Sequence, residues 1–158
     1  KVKKFTALGV FILSGFSAFA MESAEDAMRA YAASHKVECF RGGKATTCPL
    51  AAIMDDLRVF AAPDDRTAIA TMMTSPDMGN AVWFKTFWLR RGGDTYAVDH
   101  EINGLRGRLI DVSWKAGAAL VTTEAMREGD ARCCPSGRTI WLASADKAKA
   151  TYASGDRR

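Results

Sequence analysis

The apolar positions of the chain change their spacing four times between its ends, and each change predicts a new element. A mostly apolar run from Phe5 to Phe19, with Gly9, Ser14, Gly15 and Ser17 inside it, follows Lys1, Lys3 and Lys4 and ends on Ala18-Phe19-Ala20. This is the pattern of a secretory leader with cleavage expected after Ala20, and the run is shorter than the roughly 20 apolar residues a spanning helix wants. In "SAEDAMRAYAASH" the spacing becomes helical. Ala24, Ala27, Met28, Tyr31 and Ala32 form one stripe, Ser23 is placed to cap it, and Glu25 and Asp26 sit in the first turn. Two short β-type runs then flank Gly42-Gly43 and predict a hairpin. After Pro49 a helical period returns in Leu50, Ile53, Met54, Leu57, Phe60 and Ala61, predicting a second helix that Pro63 stops.

From Thr67 onward the spacing is that of strands. "TAIATMMT", "AVWFKTFWLR", "TYAVDHEI", "RLIDVSW", "ALVTTEAM" and "RTIWLAS" are separated mostly by two to six turn residues. The fold expected is α+β, with N-terminal helices packed on a curled antiparallel meander of about six strands plus the short hairpin. Residues 21–146 would make a single domain behind the leader at 1–20, and 147–158, lacking an apolar period, would be a flexible tail. Alternation orients two of the strands. Tyr96, Val98, His100 and Ile102 share one side, opposite Asp99 and Glu101. In "AVWFKTFWLR" both sides are apolar, with Val82, Phe84 and Trp88 on one and Trp83, Phe87 and Leu89 on the other, Lys85 between them. Such a strand is either central and covered twice or presents an aromatic strip to a partner.

Charge narrows the partners. The chain carries 22 basic and 18 acidic side chains, and the leader takes three lysines and no acid with it, leaving a net charge of about +1. That balance gives no electrostatic reason to expect nucleic acid or an anionic membrane surface. Arg90, Arg91, Arg106, Arg108, Arg127, Arg132 and Arg138 fall near strand ends, where they can rim the sheet. Beside exposed Trp83 and Phe87 they would supply the residue types that anchor protein interfaces. The candidate binding residues are therefore Trp83, Lys85, Phe87, Arg90 and Arg108.

Catalytic constellations are sparse. His35 and His100 are the only histidines. Asp99-His100-Glu101 resembles acid–base machinery, yet on a regular strand His100 points away from both carboxylates. His35 and Cys39 as a nucleophile pair compete with a disulfide to Cys48. Zinc-ligand spacing, a phosphate-cradling glycine loop and a Gly-x-Ser-x-Gly elbow are not found in the sequence. The expectation is a non-enzymatic protein without cofactor or metal.

The order of parts from Thr67 to Ala143, and above all Gly129-Asp130-Ala131-Arg132-Cys133-Cys134-Pro135-Ser136, resembles a family of small exported bacterial proteins that includes the LppP/LprE lipoproteins of mycobacteria. Ala131 stands where that family usually has proline, and the lipobox cysteine of its mycobacterial members is missing. The resemblance implies an envelope location and a fold, with no established reaction. Four cysteines in an exported domain allow two disulfides. Cys39–Cys48 with a strained vicinal Cys133–Cys134 is one arrangement. Separate bridges from Cys133 and Cys134 to the hairpin pair are the other, which the chain-entropy model favours because longer loops are closed. The adjacent pair occurs in family chains without the hairpin cysteines, so the resemblance implies the local arrangement. The function expected is a periplasmic or secreted envelope protein, without a membrane anchor after leader cleavage, that binds a protein partner through its sheet surface as an accessory subunit, inhibitor or immunity protein. The alternative is a redox-responsive protein using Cys133 and Cys134.

Overall fold

The structure, a computed structural model, describes residues 22–75, 82–131 and 134–156. The leader expected at 1–20 lies outside them, as does Cys133. The fold is mostly β, with one helix and three antiparallel sheets, which corrects the expected helices on a single meander. The elements are α1 (Ala24–Ser34), β1 (Lys36–Arg41), β2 (Lys44–Pro49), a single 3-10 turn (Leu50–Ala52), β3 (Met54–Ala61), β4 (Thr67–Thr74), β5 (Trp83–Gly92), β6 (Thr95–Glu101), β7 (Leu109–Lys115), β8 (Ala118–Ala125), β9 (Gly137–Ser144) and β10 (Lys147–Gly155).

Helix α1 forms where the sequence places it, and its start is fixed by a capping box. The Ser23 hydroxyl accepts the Asp26 N–H at 3.1 Å, and the Ser23 N–H reaches back to the Asp26 carboxylate at 3.3 Å. These bonds hold the Asp26 carboxyl below its ordinary value, the Ser23 hydroxyl contributing most. The buried face carries Ala24, Ala27, Met28 and Ala32. Strands β1 and β2 make the hairpin about Gly42 and Gly43, both at positive φ as a tight primed turn requires. Cys39 and Cys48 are joined by a disulfide across it, with Cα atoms 6.1 Å apart.

The second helix is replaced by the 3-10 turn and β3. A register shift between Asp55 and Arg58, with Asp56 at φ 27°, explains how a strand imitated a helix. The bulge inserts an extra residue, so Met54 and Leu57, three apart, both pack toward the helix side, and Val59 resumes strict alternation. Phe60, which the helical reading places on the same stripe, packs on the opposite side.

The six expected strands all form, but the meander breaks after β6. One sheet has the order β3-β4-β5-β6 and another β10-β9-β8-β7. Between them the chain runs through "NGLRGR", where Gly107 has φ 81° and passes so close to the Glu124 carbonyl that a Cβ would collide with it. The segment read as a tail is β10. Its one buried side chain, Ala150, and the half-buried Tyr152 are too few to give a visible apolar period, and its place in the sheet comes from pairing with β9 and from the Asn103–Lys149 bridge to the chain after β6.

The first sheet is covered on both faces. Ala68, Ala70 and Met72 of β4, Phe87 and Leu89 of β5 and Tyr96 of β6 pack against α1 and Leu50. Ile69 and Trp88 point the other way, into a second core with Leu109, Ala119, Val121, Ala143 and Ala150 of the other sheet. The two apolar sides of "AVWFKTFWLR" are thus two cores of one layered body. In β6 a register shift makes Asp99 the extra residue, which divides the side expected to be continuous. Tyr96 and Val98 face the helix core, while His100 stacks on Trp88 and Ile102 enters the second core.

Candidate functional site

The two four-stranded sheets share the second core, and beside it lies an opening lined by the start of β5, the end of β8 and the start of β9. A cleft of about 1500 Å³ opens there. One wall is Val82 and Phe84, which by alternation share the face of Trp88 but extend past the covering sheet and are 46% and 37% exposed. The facing wall is Trp141 of β9 and Tyr152 of β10, packed edge to face with ring centroids 6.1 Å apart. Their polar atoms are already bonded within the protein. The Trp141 indole N–H donates to the Thr123 hydroxyl at 2.9 Å, and the Tyr152 hydroxyl donates to the Gly155 carbonyl at 2.6 Å.

Ion pairs frame the cleft. Arg108 meets both oxygens of Glu124, at 3.1 and 2.5 Å, and these bonds push its guanidinium above its ordinary value. Asp156 accepts the Arg138 N–H at 3.0 Å and the Arg127 Nε–H at 3.1 Å, and the Arg138 bond does most to hold its carboxyl below the usual range. Asp130 organises the loop that brings Cys134 and Pro135 to the cleft. It accepts from the Arg127 N–H at 2.6 Å, the Ser136 N–H at 2.8 Å and the Ser136 hydroxyl at 2.8 Å, and the Ser136 N–H is the chief reason its pKa is lowered. The Asp and Ser of the Gly-Asp-x-x-Cys-Cys-Pro-Ser block therefore act as a clasp across the loop.

The five binding residues expected from the sequence do not share one surface. Trp83 is 62% exposed at the start of β5. Lys85, two residues on, pairs with Glu101 at 2.9 Å. Phe87 is 1% exposed and packs edge to face against Tyr31 of α1, so it cannot touch a partner. Arg90 faces the other sheet, pairing with Asp99 at 2.9 Å and donating to the Ala145 carbonyl at 2.5 Å. Arg108 lies in the cleft. Among the sulfurs, the Cys39–Cys48 bond rules out stapling Cys133 and Cys134 to the hairpin. The vicinal pair rests on Cys133, outside the described residues; Cys134 is exposed at the cleft.

His100 is not isolated from its neighbours as regular alternation would have it. The bulge turns Asp99 back so that its Oδ2 lies 3.0 Å from His100 Nδ1, and Arg90 binds the same oxygen. His100 Nε2 and Trp88 Nε1 are both buried without a partner among the described residues, the two rings lying parallel 6.3 Å apart. The same residues contain no group of three or more His, Cys, Asp or Glu side chains placed to hold a metal ion, and no helix long and apolar enough to cross a membrane. Of the far wall, Trp141 lies on a strand the sequence predicts, whereas Tyr152 lies in 147–158, where no apolar period marks a strand. Val82 and Phe84 were placed on the correct face, but alternation cannot say where the opposing sheet stops.

The fold and cleft define a layered, mostly-β body of one helix, a two-stranded hairpin and two four-stranded sheets, open at one end. No family model, curated protein or solved structure matches the chain. The resemblance to the LppP/LprE family accordingly rests on the Gly129–Ser136 block and the strand order alone.

Proposed function

We propose that this chain is an exported, non-enzymatic binding protein of the cell envelope that engages a protein partner through the surface where β5 emerges from between its covering layers. One observation carries the reading: Val82, Trp83 and Phe84 are three consecutive large apolar residues, all exposed, at the start of a strand that is buried from Thr86 to Leu89. Exposed tryptophan beside aromatic and aliphatic neighbours is the composition of an interface centre, and the Lys85–Glu101 pair two residues away suits a polar rim. Export is supported by the leader pattern at 1–20 and by the disulfide that braces the hairpin, a bond that persists in oxidising compartments. Phe87 has no part in this surface.

The test is capture from envelope extract with the natural chain and the Trp83→Ala variant side by side, both checked for unchanged thermal unfolding. A partner recovered in stoichiometric amount by the natural chain and lost with Trp83→Ala is expected. Equal recovery by both would remove β5 from the interaction.

A further inference from the structure

Beyond a protein-binding role, the geometry points to the inter-sheet cleft as a site for a small amphipathic molecule with a long apolar body and one acid group, of the long-chain carboxylate kind. The two walls set the apolar half of that requirement. Val82 and Phe84 face Trp141 and Tyr152 across about 1500 Å³, ample for an elongated ligand. Because the indole N–H of Trp141 and the hydroxyl of Tyr152 are spent on Thr123 and Gly155, these rings present their carbon surfaces to the cleft. A hydrocarbon laid on these carbon surfaces needs no hydrogen-bonding partner.

The charges set the other half. Both acids of the cleft are committed, Glu124 to Arg108 through both oxygens and Asp156 to Arg127 and the Arg138 N–H. Lys149 is exposed at the lining and forms no ion pair among the described residues. Its stem runs beside Gly104, itself part of the lining, so the ammonium sits at the end of an apolar arm on the cleft's edge. An apolar slot lined by Arg106 and Lys149 beside the Arg108–Glu124 pair suits an apolar chain that ends in an anion.

Calorimetric titration of the full chain with hexadecanoate, hexadecan-1-ol and hexanoate, each below its aggregation concentration, tests the assignment. Hexadecanoate is expected to bind one per chain, and the alcohol and the short acid at least about tenfold more weakly. Lys149→Met keeps the aliphatic stem and should weaken hexadecanoate about tenfold while leaving the alcohol unchanged. Phe84→Ser, at a part-exposed position that does not risk the fold, should weaken both long ligands. Failure of hexadecanoate to saturate, equal affinity for acid and alcohol, or natural affinity in both variants would each overturn the assignment. Val82 and Phe84 belong to both surfaces, but Trp83 and Lys149 do not: Trp83→Ala should bind hexadecanoate normally and Lys149→Met should capture partner protein normally, which keeps the two functions distinguishable.

Discussion

Trp83 and Phe87 stand on the same face of the same strand, four residues apart, and differ from 62% to 1% in exposure. Both are large and aromatic, so the difference is one of layering. Phe87 lies under α1, against Tyr31, with Leu89 and Tyr96 around it; Trp83 lies beyond the edge of that cover. The opposite face repeats the contrast, because Trp88 is enclosed between the sheets against Trp114 while Phe84 and Val82 look into the cleft. A single run of apolar residues has thus been divided by the length of its neighbours. Burial makes the inner half a stability element and leaves the outer half available for binding.

The sharpest way to break the comparison is to truncate the inner half. Phe87→Ala should cost about 3–5 kcal/mol, the transfer free energy of a buried ring plus the cavity left under α1. Urea unfolding should show a lower midpoint with an unchanged slope. A loss under about 1 kcal/mol would mean the helix does not cover this strand in solution.

Next in size is the brace on the helix-side cover. The hairpin carries Val37 into the same core as Phe87, and the Cys39–Cys48 bond closes a loop with a sequence separation of 9. In the chain-entropy model a loop that short contributes about 3 kcal/mol, so the Cys39→Ser, Cys48→Ser double variant should lose about that much. Urea unfolding of the natural chain with and without reductant should reproduce the loss. No difference between oxidised and reduced protein would leave the hairpin without a structural role.

How far this layering could be read from the sequence varied with the local signal. Helix α1 was fully legible, since Ser23, the acidic first turn and the Ala24, Ala27, Met28, Ala32 stripe are all local. The limits of the six strands expected after Thr67 were legible to within a residue or two from turn residues and β-branched runs, while β3 and β10 were not legible as strands. The bulges were not legible either. At Asp56 and Asp99 one extra residue changed which side chains share a face, turning a strand into an apparent helix in one case and separating His100 from Tyr96 in the other. The division into two sheets was hidden as well, because the chain reverses through Asn103–Arg108 by glycine conformations no longer than an ordinary hairpin loop. Of the candidate site, Trp83 and Arg108 were legible as residues, but the cleft needed the partner sheet, whose edge β10 has almost no apolar signature of its own.

A smaller effect should come from loosening the cover without emptying the core. Ser23→Ala removes the acceptor for the Asp26 N–H and should cost about 1 kcal/mol. The same capping box carries a pH signature. Because the folded Asp26 carboxyl is held below its ordinary value of 3.8, its contribution is complete above that pH and is lost as pH falls through the lower folded value. The stability difference between the natural chain and Asp26→Asn, followed by helix circular dichroism in urea, should therefore be steady near neutrality and shrink below about pH 4. A difference that persisted unchanged into stronger acid would show that the cap does not depend on the ionised carboxylate.

The smallest expected change in stability belongs to the outer half of β5, and its smallness is the point. Trp83→Ala removes the largest exposed apolar side chain, but one already in contact with water, so little transfer free energy and no cavity are involved. The change in unfolding free energy should fall within about 0.5 kcal/mol, against the several lost at Phe87 on the same face. Urea unfolding of the two variants in parallel gives the ratio directly. If Trp83→Ala were as damaging as Phe87→Ala, the strand would be covered along its whole length, and the apolar opening that carries the proposed interaction would belong to the core.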